Sequence, residues 1–211
     1  MERKYVEDYR HLHATQYGFG GRHMATILPH IMALRPASLI DYGAGRSEIS
    51  SRVAAKVGCP EVARFDPAVA GIDKVPEKTF ELAMSCDVLE HIPDDELDAV
   101  LAELARLGRH QIHVIDMKPA RATLLDGRNA HLSLHDAPWW QNRLSRFFPG
   151  LRPVKAQFPG WCAFKTWPAE VSAPRRWWIE WTEGRAWEKQ RAENRRRKRE
   201  RDRAEAAEPS V

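Results

Sequence analysis

The chain of 211 residues has no apolar run near the roughly 20 residues that cross a bilayer, so no transmembrane helix is expected. Its first residues, Met1-Glu2-Arg3-Lys4-Tyr5-Val6-Glu7-Asp8, are charged and hold no apolar core, so no secretory signal is expected either. Cysteine is scarce. Cys59, Cys86 and Cys162 are odd in number and widely spaced, with neither disulfide-framework nor zinc-ligand spacing. A reducing cytoplasm is the expected compartment, and no metal site is expected. No tryptophan stands before residue 139, and no segment repeats another.

What the chain does have is an ordinary soluble composition, 43% hydrophobic and 29% charged. That length suffices for one α/β domain with appendages. The net charge of +4 is unevenly placed. Ten Lys/Arg and six Asp/Glu fall between Arg185 and Glu208, leaving 23 of each sign before them. A basic tail on a neutral domain suggests a tethering segment rather than a basic active site.

Hydrophobic spacing divides the chain into alternating elements. Met24, Ile27, Leu28, Ile31 and Met32 predict a helix from about His23 to Leu34, with Pro29 inside it. Ser38–Tyr42 reads as a buried strand ending in a Gly-rich turn, and Glu48–Val57 as the helix after it, closed by Gly58. Val62–Asp66 and Phe80–Ser85 read as further strands. A helix follows from Asp94, with acids in its first turn and an apolar stripe of Leu97, Val100, Leu101, Leu104 and Leu107. Gln111–Asp116 is another strand. Beyond residue 120 the pattern weakens to a helix over Ala137–Phe148, strands over Val154–Phe158 and Cys162–Trp167, and one long helix from about Arg175. This order implies a parallel sheet with helices on both faces.

The turn after the first strand reads Asp41-Tyr42-Gly43-Ala44-Gly45-Arg46-Ser47. Glycines there let backbone approach a ligand, and the next helix offers unpaired N–H groups. A dinucleotide turn would read G-x-G-x-x-G. Here an acid precedes the first glycine by two residues and Ser47 takes the third place. Such an acid suits an ammonium, or organises the loop, better than it suits a pyrophosphate. Asp66 ends the next strand, where a carboxylate can take both ribose hydroxyls. Either acid alone is a weak signal, since an acidic strand end can simply cap a helix or turn; together, in this order, they are more specific.

Leu39 to Ser47 resembles the first motif of the class I S-adenosylmethionine (SAM)-dependent methyltransferases, of the small-molecule type. Arg64-Phe65-Asp66-Pro67 resembles the second motif. Phe80 to Pro93, FELAMSCDVLEHIP, is the most specific match. The resemblance covers residues 20 to 167. It implies a Rossmann-like, doubly wound, seven-stranded, mostly parallel sheet, followed here by an extended C-terminal helix. It implies SAM as cofactor, at the carboxyl ends of the first four strands. Gly43 and Gly45 would line its methionine part, with Ser47 in the same loop. Asp41 would organise that loop or meet the amino group, and Asp66 would bind the ribose. Cys86 and Asp87 would face the methionine and the methyl group. Asp73 is the carried-over candidate for the adenine. Leu89-Glu90-His91-Ile92 is read as structural rather than as an acid/base pair.

Three divisions follow: an N-terminal lid or arm over 1–22, the SAM-dependent methyltransferase domain over 23–170, and a Trp/Arg-rich helix and tail over 171–211. Tyr17 and Arg22 are expected in the lid, toward the substrate. The acceptor side is assigned to the region after the fourth strand. Its base candidates are His131 first, then Asp116 and His135, with Asn129 and Trp139 on the substrate; solvated or structural roles compete for each. The expected activity is methyl transfer to an oxygen or nitrogen of a small-molecule or glycan-type acceptor. An RNA or protein methyltransferase recruited by the tail, and a non-catalytic protein of the same fold, are the alternatives. For the tail, three readings stand open: a solvated helix with its Trp packed on the domain, a contact to anionic lipid at the inner face of the membrane, or one to nucleic acid.

Overall fold

The computed structural model describes residues 5–15 and 20–207; Tyr17 lies outside them. Helix α1 (Tyr5–Thr15) is followed by a 3-10 turn, Gly20–His23, and α2 (Met24–Leu34). The central run is β1 (Ser38–Tyr42), α3 (Ile49–Val57), β2 (Glu61–Phe65), β3 (Phe80–Cys86), α4 (Asp94–Leu107) and β4 (Gly108–Asp116). Then come α5 (Ala137–Ser145), β5 (Arg152–Val154), β6 (Trp161–Lys165) and α6 (Ala173–Ala207).

The strands form one sheet in the order β2-β1-β3-β4-β6-β5. The first four are parallel, while β6 runs antiparallel to both β4 and β5. Helices cover both faces, so β1 is buried along most of its length and needs no polar alternation. On one face, α4 lays Leu97, Val100, Leu101, Leu104 and Leu107 against the sheet, all fully buried. Each such side chain contributes roughly 2 kcal/mol by burial. On the other face lie α2 and α3, and Ile179 of α6 packs into the same core. Helix α2 is buried over every residue from Met24 to Ile31 and runs through Pro29.

Among the described residues the sheet has six strands where seven are expected. Only 14 residues connect β2 to β3, and they form turns. That stretch must cross from β2 past β1 to reach the far side. It leaves no length for a crossover helix and a further strand, which together need some 30 residues. Strand β2 is therefore an edge, and Glu61 and Val62 are exposed on it. At the opposite edge, β5 ends at Val154 rather than beginning there, with Pro153 tolerated where no further strand pairs.

The sequence passes from β1 outward to β2 and then returns to β3 on the other side of β1. That reversal opens a crevice at the carboxyl ends of β1 and β3. The N-terminal helix packs near it, since Val6 belongs to the α4-side core. Helix α6 packs through Ile179, and of its Trp, Trp187 is half-buried while Trp177, Trp178 and Trp181 are 65%, 59% and 49% exposed. Among the described residues, no helix is long and apolar enough to cross a membrane.

Candidate active site

The crevice is built first from backbone. Gly43 has φ +73°, and its N–H donates to the Phe65 carbonyl at 2.8 Å. A Cβ there would lie 2.5 Å from Val88 Cγ2, so the close approach and the left-handed φ both demand glycine. Gly45, with φ +50°, donates its N–H to Asp66 Oδ2 at 2.8 Å. Asp66 Oδ1 accepts from the Ala68 N–H at 2.9 Å. From β2, Arg64 Nη2 donates to the Gly45 and Ser47 carbonyls at 2.9 and 3.0 Å. Ser47 Oγ accepts from the Ile49 N–H at 3.2 Å, where α3 begins. The loop is thus tied to the second strand before any ligand arrives.

Asp41 stands inside this loop, 2% exposed. Its Oδ2 is buried and has no hydrogen-bond partner. Burial pushes its carboxyl up to about 7, against the nearby Ser50 hydroxyl and then the Arg64 guanidinium. Asp87, just past β3, has φ +56°, a conformation that aspartate tolerates better than most residues. Its side chain accepts from two donors, His23 Nε2 at 2.8 Å and Trp161 Nε1 at 2.9 Å, and forms an ion pair with the Arg22 guanidinium, Nε at 3.4 Å. Burial works to raise this carboxyl, but His23, Arg22 and the Trp161 bond outweigh it and hold it well below the usual range. Burial pushes the neighbouring Cys86 thiol well up, aided by Asp41 and Asp87, which keeps it protonated.

The far wall comes from the chain after β4. Asn129 brackets Ala120 through two side-chain hydrogen bonds of 2.9 Å and also accepts from the His131 N–H. His131 is buried and its Nδ1 donates to the Lys118 carbonyl at 2.5 Å. Asp116 Oδ1 accepts from the Lys118 N–H. Burial, with Asp87 nearby, raises the Asp116 carboxyl, while His131 pulls it the other way. Glu90 is wholly buried and accepts the Asp116 N–H at 2.9 Å. Burial first, then Asp87, pushes the Glu90 carboxyl well up.

Asp41, Gly43, Gly45, Asp66, Cys86 and Asp87 thus gather at the strand ends, with Asp116, His131 and Arg22 beside them. Other candidates fall elsewhere. His135 stacks on Trp139 with ring centroids 3.5 Å apart and bonds Asp94 at the start of α4. Trp139 is held in that stack rather than in the crevice. Asp73 is exposed among the turns between β2 and β3. Asn129 braces its loop.

Sequence reading missed three residues. His23 sits next to Arg22 and is buried against Asp87. Trp161 opens β6 and pairs in register with Asp116. An antiparallel strand begins at the crevice end of its parallel neighbour, and that rule would have found it. Tyr9 of α1 donates to the Ala130 carbonyl at 2.7 Å and reaches the His91 carbonyl at 3.2 Å. Val6, Tyr9, Gly43, Asp66, Asp87 and His91 border a cavity of about 100 Å³.

No family model matches the chain, and no curated protein matches it. Solved structures do. The methyltransferase domain of bacterial CtHen1-C aligns with TM-score 0.53 and 12% identity, over 72% of this chain and 100% of that one. Magnesium protoporphyrin IX methyltransferase (ChlM) from Synechocystis, with bound S-adenosylhomocysteine (SAH), gives 0.52 and 16%, over 77% and 95%. The 1,6-didemethyltoxoflavin-N1-methyltransferase of Burkholderia thailandensis, with its acceptor and SAH, gives 0.51 and 18%, over 80% and 84%. The chain has the fold of the class I methyltransferases.

Proposed function

We propose that this chain is a SAM-dependent methyltransferase acting on an oxygen or nitrogen of a small-molecule or glycan-type acceptor. The observation that carries the reading is Asp41. A carboxylate oxygen without a partner, buried beside a loop turned by Gly43 and Gly45, is a costly arrangement unless a cationic or donor group completes it. The ammonium of SAM is such a group. Asp66 takes the ribose hydroxyls with its remaining lone pairs, and Asp87 faces the sulfonium end. Two of the structural relatives are solved with SAH, and their names give porphyrin and toxoflavin-type acceptors.

The donor is already activated, so the protein has mainly to align it with the acceptor. Asp116 and His131 border the acceptor side and are the groups placed to take a proton; His135, bound to Asp94, is not. The cavity of about 100 Å³ is below the several hundred that a nucleotide-sized ligand fills. Helix α1 and the turn carrying Arg22 therefore act as a lid that shifts on binding.

Calorimetry with SAH on the full chain tests this reading. One equivalent should bind, with affinity lost at least tenfold in Asp66→Ala. No binding of SAM or SAH would sink it. The exposed Trp177, Trp178 and Trp181 beside the Arg-rich end of α6 favour a second role for the tail, recruitment to an anionic partner, on which the methyl-transfer reading does not depend.

A further inference from the structure

Three of the six exposed large hydrophobic residues among the described residues stand on one helix: Trp177, Trp178 and Trp181 of α6. The crevice does not use them. Tryptophan carries a large apolar area, and three rings left in water on one helix mark a contact surface.

The way α6 is held decides what this face presents. Ile179 is buried in the core shared with α2 and α3. Buried Glu183 pairs with Lys56 Nζ at 2.8 Å and Arg52 Nη2 at 3.8 Å, both on α3. Trp187 and Gln190 stand against Gly21, where a Cβ would lie 3.7 Å from each. Positions 179, 183, 187 and 190 therefore form the inward stripe, at the spacing of one helix face. That stripe ends there, and Arg191 to Arg197 are all exposed. On the outward side the same period aligns Trp177, Trp178 and Trp181 with Arg185, Arg195 and Arg199, and Glu188 is the one acid among them. Trp177 and Trp181 stack with centroids 6.2 Å apart and planes at 13°. The Arg185 guanidinium lies 5.1 Å from the Trp181 ring centroid. The face is aromatic at one end and cationic at the other, over about 33 Å.

We propose that this outward face of α6 binds single-stranded nucleic acid, with bases stacked on the Trp rings and phosphates on the arginines. An aromatic face takes any base, and a guanidinium takes a phosphate through paired N–H donors. Between Arg191 and Arg203 stand eight Lys/Arg and three Asp/Glu, a balance of +5, the sign that a phosphate backbone requires. A lipid surface fits less well. A helix lying in a membrane interface needs an apolar face along its length, and from Glu188 to Ala207 the largest apolar side chain is alanine. A duplex keeps its base faces stacked on one another and offers none to the rings. The inference rests on the tail's role in recruiting an anionic partner, and it holds whether or not the crevice transfers methyl groups.

The test is the fluorescence anisotropy of a labelled oligouridylate of about 20 nucleotides, titrated with the full chain. The double variants Trp177→Ala with Trp181→Ala, and Arg195→Ala with Arg199→Ala, should each weaken binding at least tenfold. Arg197→Ala with Arg201→Ala removes the same charge from positions that the helical period puts on the opposite side, and should weaken it by less than about threefold. The Arg195 and Arg199 pair should also lower the slope of log affinity against log salt by about 1.4, two single-strand phosphate contacts. Trp177, Trp181, Arg195, Arg197 and Arg199 are exposed, and alanine favours helix, so the fold is kept. Absence of binding, equal losses in the two arginine pairs, or a duplex of the same length bound as tightly overturns the proposal. Cosedimentation with phosphatidylserine vesicles without oligouridylate binding also overturns it, leaving a recruiting tail assigned to a membrane. SAH titration of the same samples is read separately: loss of SAH binding with oligouridylate binding intact rejects methyl transfer alone.

Discussion

The loop that the proposed function makes the donor side and the wall that it makes the acceptor side border one crevice and are held by different means. In the donor loop, the backbone of residues 43–47 is tied to the Phe65 carbonyl, the Asp66 carboxylate and the Arg64 guanidinium, all within 25 residues. The acceptor wall is assembled from afar. Trp161 reaches Asp87 across 74 residues, and Tyr9 reaches Ala130 across 121. Their acids differ in the same way. Asp41 is buried with an unanswered oxygen and its carboxyl is pushed up to about 7, whereas Asp87, held by His23, Trp161 and the Arg22 charge, is kept well below the usual range.

Four perturbations separate the two halves, from the largest effect to the smallest. The pH dependence of stability should split them most. Asp41 has a raised folded value, so its contribution is complete below about pH 4 and is lost as pH rises through about 7. Asp87 has a lowered value, so its contribution is present above about pH 4 and lost as pH falls below it. Asp41→Asn should therefore gain on the wild type by on the order of 4 kcal/mol between pH 4 and pH 8, measured by urea melts at each pH. A flat difference would remove the raised value.

Gly43→Ala comes next. Its Cβ meets Val88 in a left-handed conformation, at a cost of about 2–3 kcal/mol. SAH affinity should fall at least tenfold, and an unchanged affinity would show that the loop does not approach the donor. Asp87→Asn removes the charge that faces buried His23 and partly exposed Arg22, and about 2 kcal/mol should be lost in thermal melts. Tyr9→Phe should cost about 1 kcal/mol, the worth of its bond to Ala130, and loosen α1 toward hydrogen exchange. Protection unchanged over 5–15 would argue against α1 as a lid.

The same contrast explains what was legible in the sequence. The donor loop, the Asp66 strand end and the apolar stripe of α4 are encoded in short-range spacing, and each stands where that spacing places it. The six-strand count was written in the short link from β2 to β3, but only as a length. His23, Trp161 and Tyr9 could not be read locally, since each acquires its role from a partner many residues away. The tail was left open between three readings for another reason. Tryptophan usually packs, and no periodicity in α6 distinguishes a buried Trp from the exposed Trp177, Trp178 and Trp181.

The most direct test of the account is the pH profile of SAH binding to the full chain. An ammonium completing Asp41 requires the ionised carboxylate, so affinity should rise with pH and level off near 7, by at most tenfold per unit below it, with the rise absent in Asp41→Asn. No SAH binding at any pH, or the same profile in wild type and Asp41→Asn, would contradict it.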